Sequence, residues 1–206
     1  MAGTLYIISA ASGTGKTSLV NTLVKSFKNL EISVSYTTRP KRSSEKEGKD
    51  YHFVTQKQFD KMVANGEFLE YATVFGKHYG TSKTEVQKKL DQGVDVILEI
   101  DWQGARQARK SIANVISIFI LPPSKEELKR RIIGRNQDEI VVINQRLKAA
   151  SHEISHYNEY NYLVVNDKFD DALTALKSIV LARRCREDTR EQELKSLLEE
   201  LMRCQV

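Results

Sequence analysis

Apolar residues gather in short runs along the chain, at Leu5 to Ser9, Leu30 to Tyr36, Val94 to Ile100, Val115 to Leu121 and Tyr162 to Val165. Between most of these runs they recur every three or four positions, as Leu19, Leu23 and Phe27 do within Ser18 to Lys28. The runs predict strands and the spaced stretches helices. Helix starts are sharpened by Thr55 with Gln58, Ser82 with Glu85, and Ser124 with Glu127 after Pro122 and Pro123, each pair having the spacing of a capping box. Alternating strand and helix predicts an α/β protein whose parallel sheet carries helices on both faces. Two segments break the alternation. Between Arg39 and Tyr79, β-like pieces at Tyr51 to Val54 and Glu67 to Phe75 surround a helix and predict an inserted mixed lobe. From Arg135 to Asp138 a polar stretch joins two helical patterns and predicts the tip of a small lid. Near the end, Leu194, Leu197, Leu198 and Leu201 form a stripe that predicts packing against the same domain.

The first strand runs straight into Ala10, Ala11, Ser12, Gly13, Thr14, Gly15, Lys16 and Thr17. A glycine-rich turn between strand and helix, ending in Gly-Lys-Thr, suits a phosphate: backbone N–H groups cradle the anion, lysine reaches it, and the hydroxyl can bind Mg²⁺. Ala10 replaces the usual first glycine. That position needs only a negative φ, whereas Gly13 and Gly15 fall where the loop must curl. Ser18 opens the following helix, whose N-terminus also favours negative charge.

Composition narrows the classes. The 206 residues, 40% hydrophobic, suffice for one packed domain with inserted lobes. The longest apolar runs fall far short of a bilayer span, and the first has no basic leader, so no membrane association is expected and the chain reads as cytoplasmic. Cys185 and Cys204 are too few for a disulfide framework or a metal site of their own. A formal charge of +5 fits a polyanionic partner. A nucleotide meets that condition, and no nucleic-acid recognition motif is present.

Several side chains could act on an anion or a base. Arg39 and Arg42, followed by Tyr51, offer two guanidinium forks and a hydroxyl for a phosphate dianion, or else form a solvated basic loop. Glu70 on a strand, with Tyr79 and Thr81 after a turn at Gly76 and Lys77, pairs a carboxylate with hydroxyls. That set complements guanine, which presents N1–H and N2–H₂ donors beside an O6 acceptor; the plain alternative is an exposed strand glutamate. Asp101 ends an apolar strand where α/β proteins open their binding crevice, a place for Mg²⁺ held through water or for a helix N-cap. Arg131 and Arg135 share a helix face, with Arg146 on the next helix; arginines so placed can stabilise a transferring phosphoryl group or merely keep the surface soluble. The run HEISH at His152 to His156 matches a zinc motif only superficially, with no obvious third ligand. Arg130 and Arg184 read as surface charge.

Taken together, AASGTGKT, SVSYTTR, GKDYHF, FLEYATVFGKHYGTS, LEIDWQG, LPPS and VVND make the chain resemble the guanylate kinase family over nearly its whole length. The resemblance implies a P-loop NTPase-type parallel sheet with a core at about 1–34, 82–124 and 157–206, a GMP-binding lobe at about 35–81, and a lid at about 125–156. It implies transfer of the γ-phosphoryl group of ATP to GMP with Mg²⁺ as cofactor. Residues 10–18 with Arg131, Arg135 and Asn166 would then bind ATP, Thr17 holding the metal with Asp101 behind a water. Ser35, Arg39, Arg42, Tyr51, Glu70, Tyr79, Thr81 and Asp101 would bind GMP, and Lys16, Arg42, Arg135 and Arg146 would act in catalysis. The chain departs from the family pattern at Pro40-Lys41, Ala11, Glu99 and Asn136, without losing a charge from these sets. A homo-oligomer is compatible with the sequence. Two other readings remain open at this level: a domain that binds phosphorylated protein segments, against which the intact GTGKT stands, and a P-loop kinase for another phosphorylated metabolite.

Overall fold

The computed structural model describes residues 2–74, 76–134 and 140–203. In chain order its elements are β1 (Leu5–Ala10), α1 (Lys16–Lys25), β2 (Leu30–Ile32), β3 (Tyr36–Thr37), β4 (His52–Phe53), α2 (Gln56–Ala64), β5 (Phe68–Val74), β6 (Lys77–Ser82), α3 (Lys83–Asp91), β7 (Asp95–Leu98), α4 (Trp102–Ser111), β8 (Ile116–Leu121), α5 (Lys125–Ile133), α6 (Ile140–Ile154), β9 (Tyr162–Val165), α7 (Phe169–Arg184) and α8 (Glu187–Arg203).

A five-stranded parallel sheet in the order β2-β7-β1-β8-β9 forms the core. Because side chains alternate along a strand, β1 sends Tyr6 and Ile8 to one face and Leu5 and Ile7 to the other. On the first face they meet Leu19 and Leu23 of α1 and Leu176 and Val180 of α7. On the second they meet Val86 and Leu90 of α3 and Ala105 and Ala108 of α4. Burial on both faces explains why this strand reads as an unbroken apolar run. Helices α5 and α6 make a smaller cluster, Leu128, Ile132 and Ala150, that reaches Ala11 of the loop.

The predicted strand from Leu30 to Tyr36 is divided between two sheets. Residues 30–32 pair with β7, while Tyr36 and Thr37 pair with β4 and β6 in a separate mixed sheet ordered β4-β3-β6-β5. Apolar content alone cannot say to which partner a strand bonds, and Ser33 to Ser35 carry the chain across. The turn at Gly76 joins β5 to β6 as an antiparallel hairpin, with Glu70 opposite Thr81. All three predicted N-caps form, but only Thr55 closes a full capping box. Glu85 instead accepts from the Tyr36 hydroxyl, and Glu127 pairs with Arg130 and Arg131.

Two expectations are corrected. Arg184 is no mere surface charge: its Nε donates to buried Asp95 at 2.8 Å and its Nη2 to the carbonyls of Lys28 and Asn29, while Asp95 accepts the Thr4 N–H at 2.7 Å. This ties α7 to the start of the sheet. The leucine stripe of α8 is covered only at its start: Leu194 is half-buried, whereas Leu197, Leu198 and Leu201 are 47%, 42% and 62% exposed. Helical spacing fixes which residues share a face, not whether a partner lies beside it. Cys185 is exposed and Cys204 lies outside the described residues. Among the described residues, no helix is long and apolar enough to cross a membrane.

Candidate active site

The loop between β1 and α1 has the curl its sequence demands. Ala10, at the first-glycine position, is still a strand residue in register with Ile120 of β8, so a side chain is tolerated there. Gly13 and Gly15 adopt φ of 92° and 88°, in the left-handed region that side chains disfavour. The buried Thr14 hydroxyl donates to the Ala11 carbonyl at 2.9 Å, and the Asn166 amide donates to the Thr14 carbonyl at 2.6 Å. Helix α1 starts at Lys16 with no acidic residue in its first turn, leaving its positive end to an outside anion. Beside the loop, Gly13, Gly15, Ser18, Arg131, Asn166 and Phe169 line a hollow of about 440 Å³. Arg131 is fixed there by Glu127 at 2.7 Å and by the Asn166 carbonyl at 3.0 Å.

Opposite the loop, the β5–β6 hairpin buries Glu70. Its Oε1 accepts from the Thr81 hydroxyl at 2.6 Å, and Ser35 Oγ lies 3.4 Å from the same Thr81 oxygen. Its Oε2 lies against Gly104 of α4, where a Cβ would collide with it. Burial is the main cause that pushes the carboxyl up to about 7; the nearby Asp101 charge adds to the shift, and the Thr81 hydrogen bonds oppose it. Asp101 caps α4, accepting the Gly104 N–H at 2.9 Å, and faces the cleft as well.

Arg39 does not lie free beside the cleft. Glu45 takes it bidentately, at 2.6 Å and 3.1 Å, and also accepts the Arg42 N–H at 2.8 Å. The guanidinium lies 5.4 Å from the Tyr51 ring centroid, and Tyr51 meets Tyr79 edge-on at 5.9 Å. The Arg42 side chain is exposed.

A cleft of about 380 Å³ joins the two halves. The loop from Ala10 to Thr17 lines one side, and Ser35, Tyr51, Glu70 and Tyr79 line the other, with Asp101 between. Thr81 stands behind Glu70 and Arg39 beside Tyr51. Ser18, Arg131 and Asn166 lie in the neighbouring hollow. Arg146 is half-buried on α6 and is not one of the residues lining the cleft, and Arg135 lies outside the described residues.

Four functional candidates escaped the sequence reading: Glu45, Glu99, Gly104 and Glu153. Glu99 had a signal, because it shares strand parity with Asp101 at the end of the same run. Its Oε2 accepts from the Thr17 hydroxyl at 3.3 Å and lies 4.0 Å from the Lys16 ammonium. A hydroxyl and a carboxylate this close are hard oxygen donors that fit Mg²⁺, more directly than Asp101 does, which is engaged as a helix cap. Among the described residues no three His, Cys, Asp or Glu side chains gather around a metal position. The HEISH residues have other partners: His156 stacks on Trp102 at 3.9 Å, His152 meets the same ring edge-on, and Glu153 accepts the Ser12 N–H at 3.1 Å.

Known proteins resemble this chain in sequence and in fold. The family model for guanylate kinase matches residues 2–183. Guanylate kinase of Alkalilimnicola ehrlichii is 55% identical over 202 residues, covering 98% of this chain and 100% of its own. That of Coxiella burnetii is 52% identical over 198 residues, covering 96% of each. The crystal structure of guanylate kinase from Anaplasma phagocytophilum superposes with a TM-score of 0.75 at 38% identity, covering 90% of this chain and 88% of that one. With the family model spanning residues 2–183 and relatives more than half identical along nearly the whole sequence, the chain belongs to the guanylate kinase family.

Proposed function

We propose that the protein transfers the γ-phosphoryl group of ATP to GMP, giving ADP and GDP, in the cytoplasm. One observation carries this reading: Lys16 of the phosphate loop and Glu70, held from behind by Thr81, line a single cleft. The core holds the donor, with the triphosphate along Ser12 to Thr17 and the purine in the hollow formed by Arg131 and Asn166. The mixed sheet, as the acceptor lobe, reads guanine. Ionised Glu70 accepts from N1–H and N2–H₂, a pattern that adenine does not offer, and discrimination of this kind is large because mispaired buried groups lose hydrogen bonds. Arg39, Arg42, Tyr51 and Tyr79 take the GMP phosphate, Arg39 keeping its Glu45 pair and offering its remaining donors to phosphate oxygens.

The chemistry needs no covalent enzyme intermediate. Lys16 neutralises charge on the transferring group, with Arg135 and Arg146 of the α5–α6 lid region closing over it, and positioning lowers most of the barrier. Thr17 and Glu99 would hold Mg²⁺, which when bound shields the phosphate charge. A coupled assay for ADP formation with GMP, AMP, dTMP and UMP tests the reading: turnover with GMP far above the other three is expected, and a preference for AMP would overturn it.

A further inference from the structure

Helix α6 brings a carboxylate to the phosphate loop. Glu153 Oε2 accepts the Ser12 N–H at 3.1 Å and the side chain lines the main cleft. Its surroundings are those of an anion site. Lys16 of α1 and the Ser12 N–H of the loop favour its charge, Asp101 at the start of α4 opposes it, and burial is the largest influence, pushing the carboxyl up. The placement is held from outside the loop. His156 stacks on Trp102 at 3.9 Å with rings 17° apart, His152 meets that ring at 5.6 Å, and His156 Nδ1 lies 2.8 Å from Glu159. The last turns of α6 are thereby fixed against the first turn of α4, with Glu153 directed at the loop.

We propose that Glu153 is a positioning residue of the donor site, standing in for phosphate at the rim of the loop while no nucleotide is bound, so that donor binding and the position of α6 form one equilibrium. The inference rests on the donor reading of the loop given above. A phosphate oxygen and this carboxylate compete for the same N–H and the same lysine, and two like charges cannot both occupy that space at low cost. The carboxylate is not needed to shape the loop, which has its own bonds from Thr14 to Ala11 and from Asn166 to Thr14. Removing its charge therefore relieves competition rather than loosening the cradle. Since α6 also carries Arg146 two turns earlier on the same face, displacement of Glu153 couples the donor's arrival to the placement of that arginine.

Isothermal titration of the full chain with ADP, inorganic tripolyphosphate and GMP, comparing wild type, Glu153→Gln and Glu153→Ala, tests this. ADP and tripolyphosphate should bind both variants at least about fivefold more tightly, the low end of ordinary coupling between sites, with GMP affinity unchanged. A purely structural role would weaken donor binding instead. Unchanged or weaker ADP binding by the variants overturns the proposal, whereas failure of wild type to bind ADP at all overturns the donor reading beneath it. Should both variants fail to fold, the Ser12 amide of wild type answers by NMR. Slow hydrogen exchange without nucleotide and a resonance that moves on ADP addition support the proposal; a freely exchanging Ser12 amide in the nucleotide-free chain overturns it.

Discussion

Glu70 and Thr81 stand directly opposite each other on the β5–β6 hairpin, and the Thr81 hydroxyl donates a 2.6 Å hydrogen bond to the Glu70 carboxylate. This bond orients a carboxyl that is only 3% exposed and leaves its other oxygen between the cleft and the backbone of Gly104. The base-reading group is thus set by a cross-strand pair on rigid elements, not by a loop.

Replacing Glu70 with Gln separates recognition from stability. The amide offers guanine a donor where an acceptor is needed, so KM for GMP should rise at least about tenfold, in line with the cost of a mispaired buried group, while ATP affinity holds. Stability should move the other way with pH. Burial pushes the folded-state pKa from the ordinary 4.5 up to about 7, so the protonated form is the one the fold favours. The burial cost is absent below the unfolded value and grows as pH rises through the folded one. At pH 8 the Gln variant should be more stable than wild type by up to about 3 kcal/mol, the ceiling for a shift of that size, and the gain should vanish near pH 4.5. Thermal unfolding at the two pH values measures it; equal differences at both would remove burial of the charge as the cause.

Gly104 matters for what it lacks. A Cβ there would press on the Glu70 carboxylate and approach Ile100 Cβ at 3.3 Å. Gly104→Ala should therefore displace Glu70 and raise KM for GMP by about tenfold while ADP affinity stays within twofold, because a small misplacement of a contact group costs heavily. Titration with each nucleotide separately checks this, and an equal loss for both would point to general unfolding of α4.

Glu45 holds Arg39 by a two-pronged ion pair and also holds the Arg42 backbone. It acts by orienting Arg39 rather than by touching substrate. Glu45→Gln frees the guanidinium to explore other rotamers, and KM for GMP should rise by about five- to tenfold, a plausible share of the energy of one charge-assisted pair. KM for ATP should not change. Steady-state kinetics with each substrate varied in turn would show it, and a fall in KM for GMP would mean that Glu45 competes with the phosphate instead.

Chelation of divalent cations should abolish turnover, and Mg²⁺ should restore it. Of the two carboxylates at the end of β7, Glu99 is the one beside Thr17. Glu99→Gln should raise the Mg²⁺ concentration for half-maximal rate by about tenfold or more, the effect expected for a ligand or its immediate support. Asp101→Asn should act mainly on GMP through its neighbour Glu70. Magnesium titrations of both variants decide between them, and a shift confined to Asp101→Asn would return the metal role to that residue.

Much of this architecture is legible in local residue patterns. Two-face burial wrote β1 as an unbroken apolar run, the need for left-handed turns placed Gly13 and Gly15, and the order of charged motifs announced a donor and an acceptor side. These are local properties, fixed by a residue and its near neighbours in the chain. Tertiary structure alone decided which distant groups meet. It split residues 30–37 between two sheets, set Gly104 against Glu70, gave Arg184 to Asp95, brought Glu99 to Thr17, and brought Glu153 to Ser12. Such contacts join residues separated by tens of positions, and their existence depends on where sheets and helices pack, which periodicity does not encode. It also left Leu197, Leu198 and Leu201 of α8 exposed, because a stripe defines a face and only packing supplies what lies against it.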